Sequence, residues 1–323
     1  MRTATASIRN VTFMHRLVLV LAFLGCGEKS PRGGSSERAV AIAGSTDATF
    51  QIRCSAKYAP KAGLDPSQMC YVPAGDVMMG TPVEVSRPED GPARNVRISK
   101  PFYIDQYEVT VAQFARFLRE HGNQCGHESR CFVGGALSEI APKTLAIQAG
   151  SEDHPVTSAS WAGAVEYCTW AGKRLPTEAE WELAARHEPM TGRDRVYPWG
   201  NEFRNGITNS FGSVEPKRSL VAPVGTYKDD RSPIGAMDMG GNVSEWVMDC
   251  FSLDFSCGDP CLDPLRTSSC EQACTQGSTV QCGRAQLLKG GDRASDPEFL
   301  VSKSRAKALS SFGGGVRCVT PAR

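Results

Sequence analysis

The chain has 323 residues, with 36 Lys and Arg against 35 Asp and Glu, for a formal net charge of +1. That balance, without a basic stripe interleaved with aromatics, excludes a nucleic-acid-binding surface, and the length is met by a single domain with no second one required. The unusual count is 13 cysteines, which turns attention to the compartment in which the protein folds.

Met1 to Gly25 carries Arg2, Arg9, His15 and Arg16 and no acidic residue, with an apolar run from Leu17 to Leu24 that ends at Gly25-Cys26. The run is too short to span a bilayer, which takes about 20 apolar residues, and it reads as an export signal. The small residue before Cys26 resembles the lipobox of bacterial lipoproteins, although Phe23 stands where those signals usually have Leu. Residues 1–25 are therefore expected to be a lipoprotein-type signal peptide, with lipid on Cys26. Secretion with cleavage nearby is the alternative, and Met14 offers a second start. The expected location is the bacterial cell envelope, at the periplasmic or outer-membrane surface, with the membrane reached through the lipid. Residues 26–49 are rich in Gly, Ser, Arg and Ala and read as a flexible tether.

Setting Cys26 aside leaves twelve cysteines, an even number that favours full pairing in an exported chain. Cys54 with Cys70 and Cys125 with Cys131 are local candidates. A dense group follows at Cys250, Cys257, Cys261, Cys270, Cys274 and Cys282. Its two Cys-x-x-x-Cys spacings fit either a four-thiolate zinc site or a loop stapled by three disulfides. The Pro, Gly and Ser between them, and the absence of histidine, favour the disulfides.

From residue 50 the chain is expected to form one globular domain to residue 323, interrupted by the Cys-rich insertion 250–282. Cys70 to Gly80 predicts a strand, a turn and a second strand. Pro101 to Thr110 predicts a strand running into a helix at Val111, with Val111, Phe114, Ala115 and Leu118 on its apolar face. A second helix places Trp161, Ala164, Val165 and Cys168 at helical spacing. The third has the sharpest start: Pro176 cannot extend a preceding helix, Thr177 can cap the first turn, and Glu180 completes a capping box, with Trp181, Ala184 and Ala185 on one face.

The string Gly172-Lys173-Arg174-Leu175-Pro176-Thr177-Glu178-Ala179-Glu180-Trp181-Glu182 resembles the signature of the formylglycine-generating enzyme, or sulfatase-modifying factor, family. Further motifs match in order: Val72-Pro73-Ala74-Gly75, Glu108-Val109-Thr110, His154-Pro155-Val156, Tyr197-Pro198-Trp199-Gly200-Asn201-Glu202, Ala222-Pro223-Val224-Gly225, Gly241-Asn242-Val243-Ser244-Glu245-Trp246, Gly290-Gly291 and Gly315-Val316-Arg317-Cys318. The resemblance spans Tyr71 to Cys318 and identifies the chain as a divergent member. It implies an α+β fold, mixed and low in regular secondary structure, similar to C-type lectins. It also implies a disulfide between Cys168 and Cys318, and a structural calcium held by Asp238, the carbonyls of Gly241 and Val243, and Glu245.

Active members of the family oxidise a sulfatase cysteine to formylglycine with O2 and a copper(I) ion held by two cysteines between the Gly-Gly and Gly-Phe-Arg motifs. Here the interval from Asp292 to Val316 contains no cysteine, Ser244 replaces the first Trp of Gly-Asn-x-Trp-Glu-Trp, Asp292 replaces Ser, and Val316 replaces Phe. Copper is accordingly not expected, and no catalytic residue is assigned. A second calcium, whose region holds Pro216, Lys217 and Arg218 with only Asn209 as a possible ligand, is not expected either. The five histidines, His15, His121, His127, His154 and His187, form no ligand triad for the iron-dependent branch of the family. The expectation is an exported, lipid-anchored domain that binds or scaffolds an unknown protein or glycan partner. The alternative is an oxidase, formylglycine-generating or other, using a non-standard site.

Overall fold

The computed structural model describes residues 54, 56–58, 67–80, 87–126, 130–211, 221–258, 260–274 and 282–322. The chain divides into compact units 1–48 and 49–323, and the described residues all belong to the second. The signal segment, the tether, Cys26 and the Pro216 to Arg218 stretch lie outside the described residues.

Strands β1 (Ala56–Tyr58), β2 (Ser67–Val72), β3 (Gly75–Met79), β4 (Arg94–Ile98) and β5 (Phe102–Asp105) open the domain. Helix α1 (Val111–His121) begins in a reciprocal cap, in which Thr110 Oγ1 accepts from Gln113 N and the Gln113 side chain accepts from Thr110 N. It buries Val111, Phe114, Ala115 and Leu118, and Phe117 as well. A hairpin of β6 (Leu137–Ala141) and β7 (Thr144–Ile147) leads to α2 (Trp161–Trp170), where Ser160 accepts from Gly163 N.

Helix α3 (Glu178–Arg186) carries the cap expected of it. Thr177 Oγ1 accepts from Glu180 N at 3.1 Å, and a Glu180 oxygen accepts from Thr177 N at 2.9 Å. It differs from expectation in its surroundings: every residue from Glu178 to Ala185 is buried, so the helix has no solvent face. Glu178 and Glu182 are accommodated by cations brought from distant segments, and Glu180 by Arg174 six residues earlier. The short pair β8 (His187–Glu188) and β9 (Arg193–Asp194) follows, then β10 (Glu245–Cys250), β11 (Cys261–Leu262), β12 (Gln272–Cys274), β13 (Cys282–Lys289), β14 (Ala306–Leu309) and β15 (Val319–Pro321).

Besides the two-stranded pairs β6-β7 and β8-β9, the strands form three larger sheets, ordered β1-β2-β5-β15, β10-β13-β12 with β14 also on β13, and β11-β4-β3. All pair antiparallel except β11, which lies parallel to β4 with Cys261 opposite Val96. Three short helices and several small sheets make the fold mixed α+β. Three cores result: Trp181, Leu183 and Ala184 of α3 against Val77, Val96 and Leu287; Phe114 and Phe117 of α1 with Tyr167 and Cys168 of α2 against Trp246; and a small one of Trp199, Ile207 and Leu300.

Five disulfides close the described chain: Cys54–Cys70, Cys125–Cys131, Cys168–Cys318, Cys250–Cys270 and Cys257–Cys261. The last two use three of the four thiols that a zinc site would need, so the stapled-loop reading holds. Cys168–Cys318 ties α2 to the residue just before the last strand, across 150 residues. In the chain-entropy account, closing so long a loop is worth roughly 5 kcal/mol.

Candidate functional site

Three of the sequence motifs meet at one buried point. Arg317, from the closing motif, is wholly buried and donates to Glu245 through Nη2 at 2.7 Å and Nε at 3.0 Å. Its remaining N–H groups reach the carbonyls of Asp105, Gln106 and Met237 at 2.8–2.9 Å. The second oxygen of Glu245 accepts from the indole Nε1 of Trp181, the aromatic of the α3 signature, at 2.7 Å. Burial works against the Arg317 charge, but Glu245 outweighs it and holds the guanidinium above its ordinary value.

Around this pair the loop from Asp230 to Val243 packs more acid than the single arginine balances. Asp238 and Asn242 sit at positive φ, 60° and 62°, a backbone conformation that Asp and Asn tolerate better than most residues. A Cβ on Gly240 would stand 2.5 Å from the Trp199 ring, so glycine there lets the loop close on the Tyr197-Trp199 stack. Asp238 accepts from Gly225 N, Asp230 from Thr208 Oγ1, and Glu108 from Asn242 Nδ2. Glu108 Oε1 and Asp230 Oδ1 are buried with no hydrogen-bond partner. Burial, reinforced by Asp238 and Glu245, raises the Glu108 carboxyl well above the usual range. Burial and then Asp238 push Asp230 up to about 8, and burial pushes Asp238 up to about 6.

Buried, partly unsatisfied carboxylate oxygens are what a hard cation neutralises. The residues drawn from the resemblance, Asp238, Gly241, Val243 and Glu245, lie together on this loop. Both Glu245 oxygens are engaged by Arg317 and Trp181, whereas Glu108 and Asp230 offer free lone pairs beside Asp238. The chemistry of the donor set fits calcium, with Asp238 and its two acidic neighbours as its anionic part. Glu108 and Arg317 both stand inside quoted motifs, where a charged residue in an apolar or glycine-rich string is the available sign of a buried ion pair.

A second buried network surrounds α3. Lys289 Nζ, from the end of β13, donates to Glu182 at 3.0 Å with its side chain fully enclosed. Arg305 pairs with Glu178 at 2.7 Å, and Arg174 with Glu180 at 2.6 Å. Nothing in the sequence pattern showed the Lys289 and Arg305 pairs, because these residues are remote from α3, whereas Arg174 lies six residues before Glu180 and keeps a partly exposed side chain.

The interval that holds the thiol pair of active relatives is built otherwise here. Asp292 closes a turn on itself, accepting from Ala294 N and Ser295 Oγ at 2.9 Å each. A short 3-10 helix, Pro297–Phe299, leads on to β14. Ser244 is half-buried and Val316 is buried against the α1–α2 core. Of the histidines, His121 lies 3.7 Å from Glu166 and His187 lies 2.8 Å from Asp194, each on a separate part of the surface; His127 is outside the described residues.

Residues 55–322 match the family described as "Sulfatase-modifying factor enzyme 1-like domain". The formylglycine-generating enzyme of Thermomonospora curvata is 33% identical over 257 residues, which cover 66% of this chain and 82% of that protein. The inactive C-alpha-formylglycine-generating enzyme 2 of Mus musculus is 34% identical over 217 residues, covering 57% of this chain and 68% of that protein. Among solved structures, PvdO from Pseudomonas aeruginosa aligns with a TM-score of 0.59 at 24% identity, covering 80% of this chain and 95% of that one, a likeness of fold. The motifs that converge on Arg317, Glu245 and Trp181, together with these matches, establish that the chain belongs to the sulfatase-modifying factor family, as a divergent member of it.

Proposed function

We propose that this chain is a binding or scaffolding member of the family that does not oxidise cysteine, exported and held at the cell envelope by lipid on Cys26. One observation carries the loss of chemistry: the interval Asp292 to Val316, where active relatives hold copper(I) with two cysteines, contains none. Two thiolates are the donors that suit copper(I), and hydroxyl or carboxylate groups do not replace them. Similarity to a relative named as inactive supports the same reading. The five disulfides suit an oxidising compartment. Calcium at the Asp238 loop has a structural role in this proposal, as a counter-charge to buried acid. The partner, protein or glycan, is met in part by the Cys-rich insertion.

The test is direct. Purified mature chain, supplied with copper(I), O2 and a Cys-x-Pro-x-Arg peptide, is expected to leave the thiol unchanged by mass spectrometry. Conversion to the aldehyde overturns the proposal.

A further inference from the structure

A cleft lies away from the acidic loop, where the Cys-rich insertion folds back over β3, β4 and the start of α3. It encloses about 430 Å3. One wall is framework: Arg94 of β4, Glu178 of α3, Asp249 of β10, and Arg305. The other is insertion, with Phe255, Leu262 and Leu265 among its apolar members. The insertion wall is braced. β11 hydrogen-bonds along β4, Asp263 accepts from Ser99 N at 2.7 Å, Asp249 accepts from Arg266 N at 2.8 Å, and Cys250–Cys270 and Cys257–Cys261 lock its loops.

The charges in the cleft are satisfied with one exception. Glu178 takes Arg305 at 2.7 Å, and Arg266 reaches Asp254 at 3.3 Å and the Ser256 carbonyl at 2.8 Å. Both oxygens of Asp249 accept backbone N–H groups, from Glu178 and Arg266, and burial pushes its carboxyl up to about 7. Arg94 makes no direct ion pair among the described residues, and Glu178 and Glu182 act on its charge only at longer range. Its polar contact is the Pro92 carbonyl at 3.5 Å, and its guanidinium stands 5.1 Å from the Phe255 ring centroid. A half-buried arginine with open donors, at the back of a cleft whose lip exposes Leu262 at 52% and Leu265 at 50%, is half of a recognition pair.

We propose that this cleft binds an apolar monocarboxylate, its carboxylate paired with Arg94 and its apolar body against Phe255, Leu262 and Leu265. A planar guanidinium fork matches a carboxylate through two parallel hydrogen bonds. A dianion such as phosphate is disfavoured by Glu178 and Asp254, which line the same space. The ligand chemistry has two sources, a free small acid or the C-terminal carboxylate of a peptide ending in a large apolar residue. The inference rests on the reading of the chain as a binding module and gives that module a ligand class. Its test involves no turnover, so a positive aldehyde assay would sink that reading while leaving the titration to stand or fall separately.

The experiment is calorimetric titration of the mature chain with N-acetyl-phenylalanine and with its primary amide. The acid is expected to bind about tenfold or more tightly than the amide, because a charged hydrogen-bond pair is lost in the amide. Arg94→Met, which keeps an apolar stem beside Phe255, is expected to bring the acid down to the affinity of the amide while the melting temperature stays near that of the wild type. A pentapeptide ending in Phe, free or amidated at its C-terminus, separates the sources: tighter binding of the free-ended peptide than of the small acid assigns a chain terminus, and equal or weaker binding assigns a small acid. Equal affinity of acid and amide for the wild-type chain, or no saturable binding of either, overturns the proposal whatever the variant does.

Discussion

Arg317 is the residue whose loss should be felt most. Its five N–H groups are satisfied inside the protein, and its partner Glu245 has no route to water. Arg317→Met removes the cation and leaves a buried carboxylate beside three others, so a loss of about 3–5 kcal/mol is expected in urea denaturation. Asp249 makes a different prediction. Its carboxyl is pushed from 3.8 to about 7 by burial first and by Glu178 second, so the folded protein holds a proton that the unfolded chain releases. The stability it contributes is complete below about pH 4 and is lost as pH rises through 7, by at most about 4 kcal/mol. Denaturation of the wild type and of Asp249→Asn between pH 4.5 and 8 should show the wild type losing ground to the variant as pH increases; parallel curves would remove the effect. Both residues show where sequence reading stops. The Thr177 cap was legible because its partner Glu180 is three residues away, whereas Lys289 meets Glu182 across 107 residues and no local pattern reports it.

At the level of elements, the three helices were legible from spacing and caps, and the strands around Cys70 to Gly80 and Phe102 from alternation. The full burial of α3 was not, since a helix with glutamates at 178, 180 and 182 reads as solvent-facing on one side until their cations are brought in by folding. The cysteines extend this lesson to the sheet β10-β13-β12. Cys274 and Cys282 face one another in register across an antiparallel pair, a separation that a disulfide bridges. With five disulfides already assigned, their pairing would leave Cys26, the proposed lipid site, as the one cysteine outside a disulfide. Intact-mass measurement with alkylation before reduction is expected to add nothing to the exported protein. Two alkylated thiols would instead favour the oxidase reading.

For the molecule as a whole, the proposed calcium at the acidic loop would couple cation binding to folding. Glu108, Asp230 and Asp238 are drawn from separate segments and buried near a single arginine, so a bound calcium should raise the stability of the entire domain. Dialysis against a chelator is expected to lower the melting temperature, with calcium restoring it and magnesium doing so less well, because magnesium demands a tighter octahedral shell. An unchanged melting temperature would show that protons alone neutralise the loop. The domain frame was readable from ordered motifs, but this excess of acid was not, because it exists only once Glu108 and Asp230 are folded against Asp238.

The parallel seating of β11 on β4 has a consequence for how the molecule keeps to itself. In the sheet β11-β4-β3, the insertion occupies the flank of β4, with Asp263 N bonded to the Arg97 carbonyl at 2.8 Å. Excising residues 253–281, with Cys250→Ser and Cys282→Ser so that no orphan thiol remains, would bare that flank, a template for pairing with its own copies. Light scattering is expected to show the excised chain at higher mass than the intact one. The Cys-rich insertion would then serve as a chaperone in place, guarding the framework against self-assembly as well as shaping a cleft.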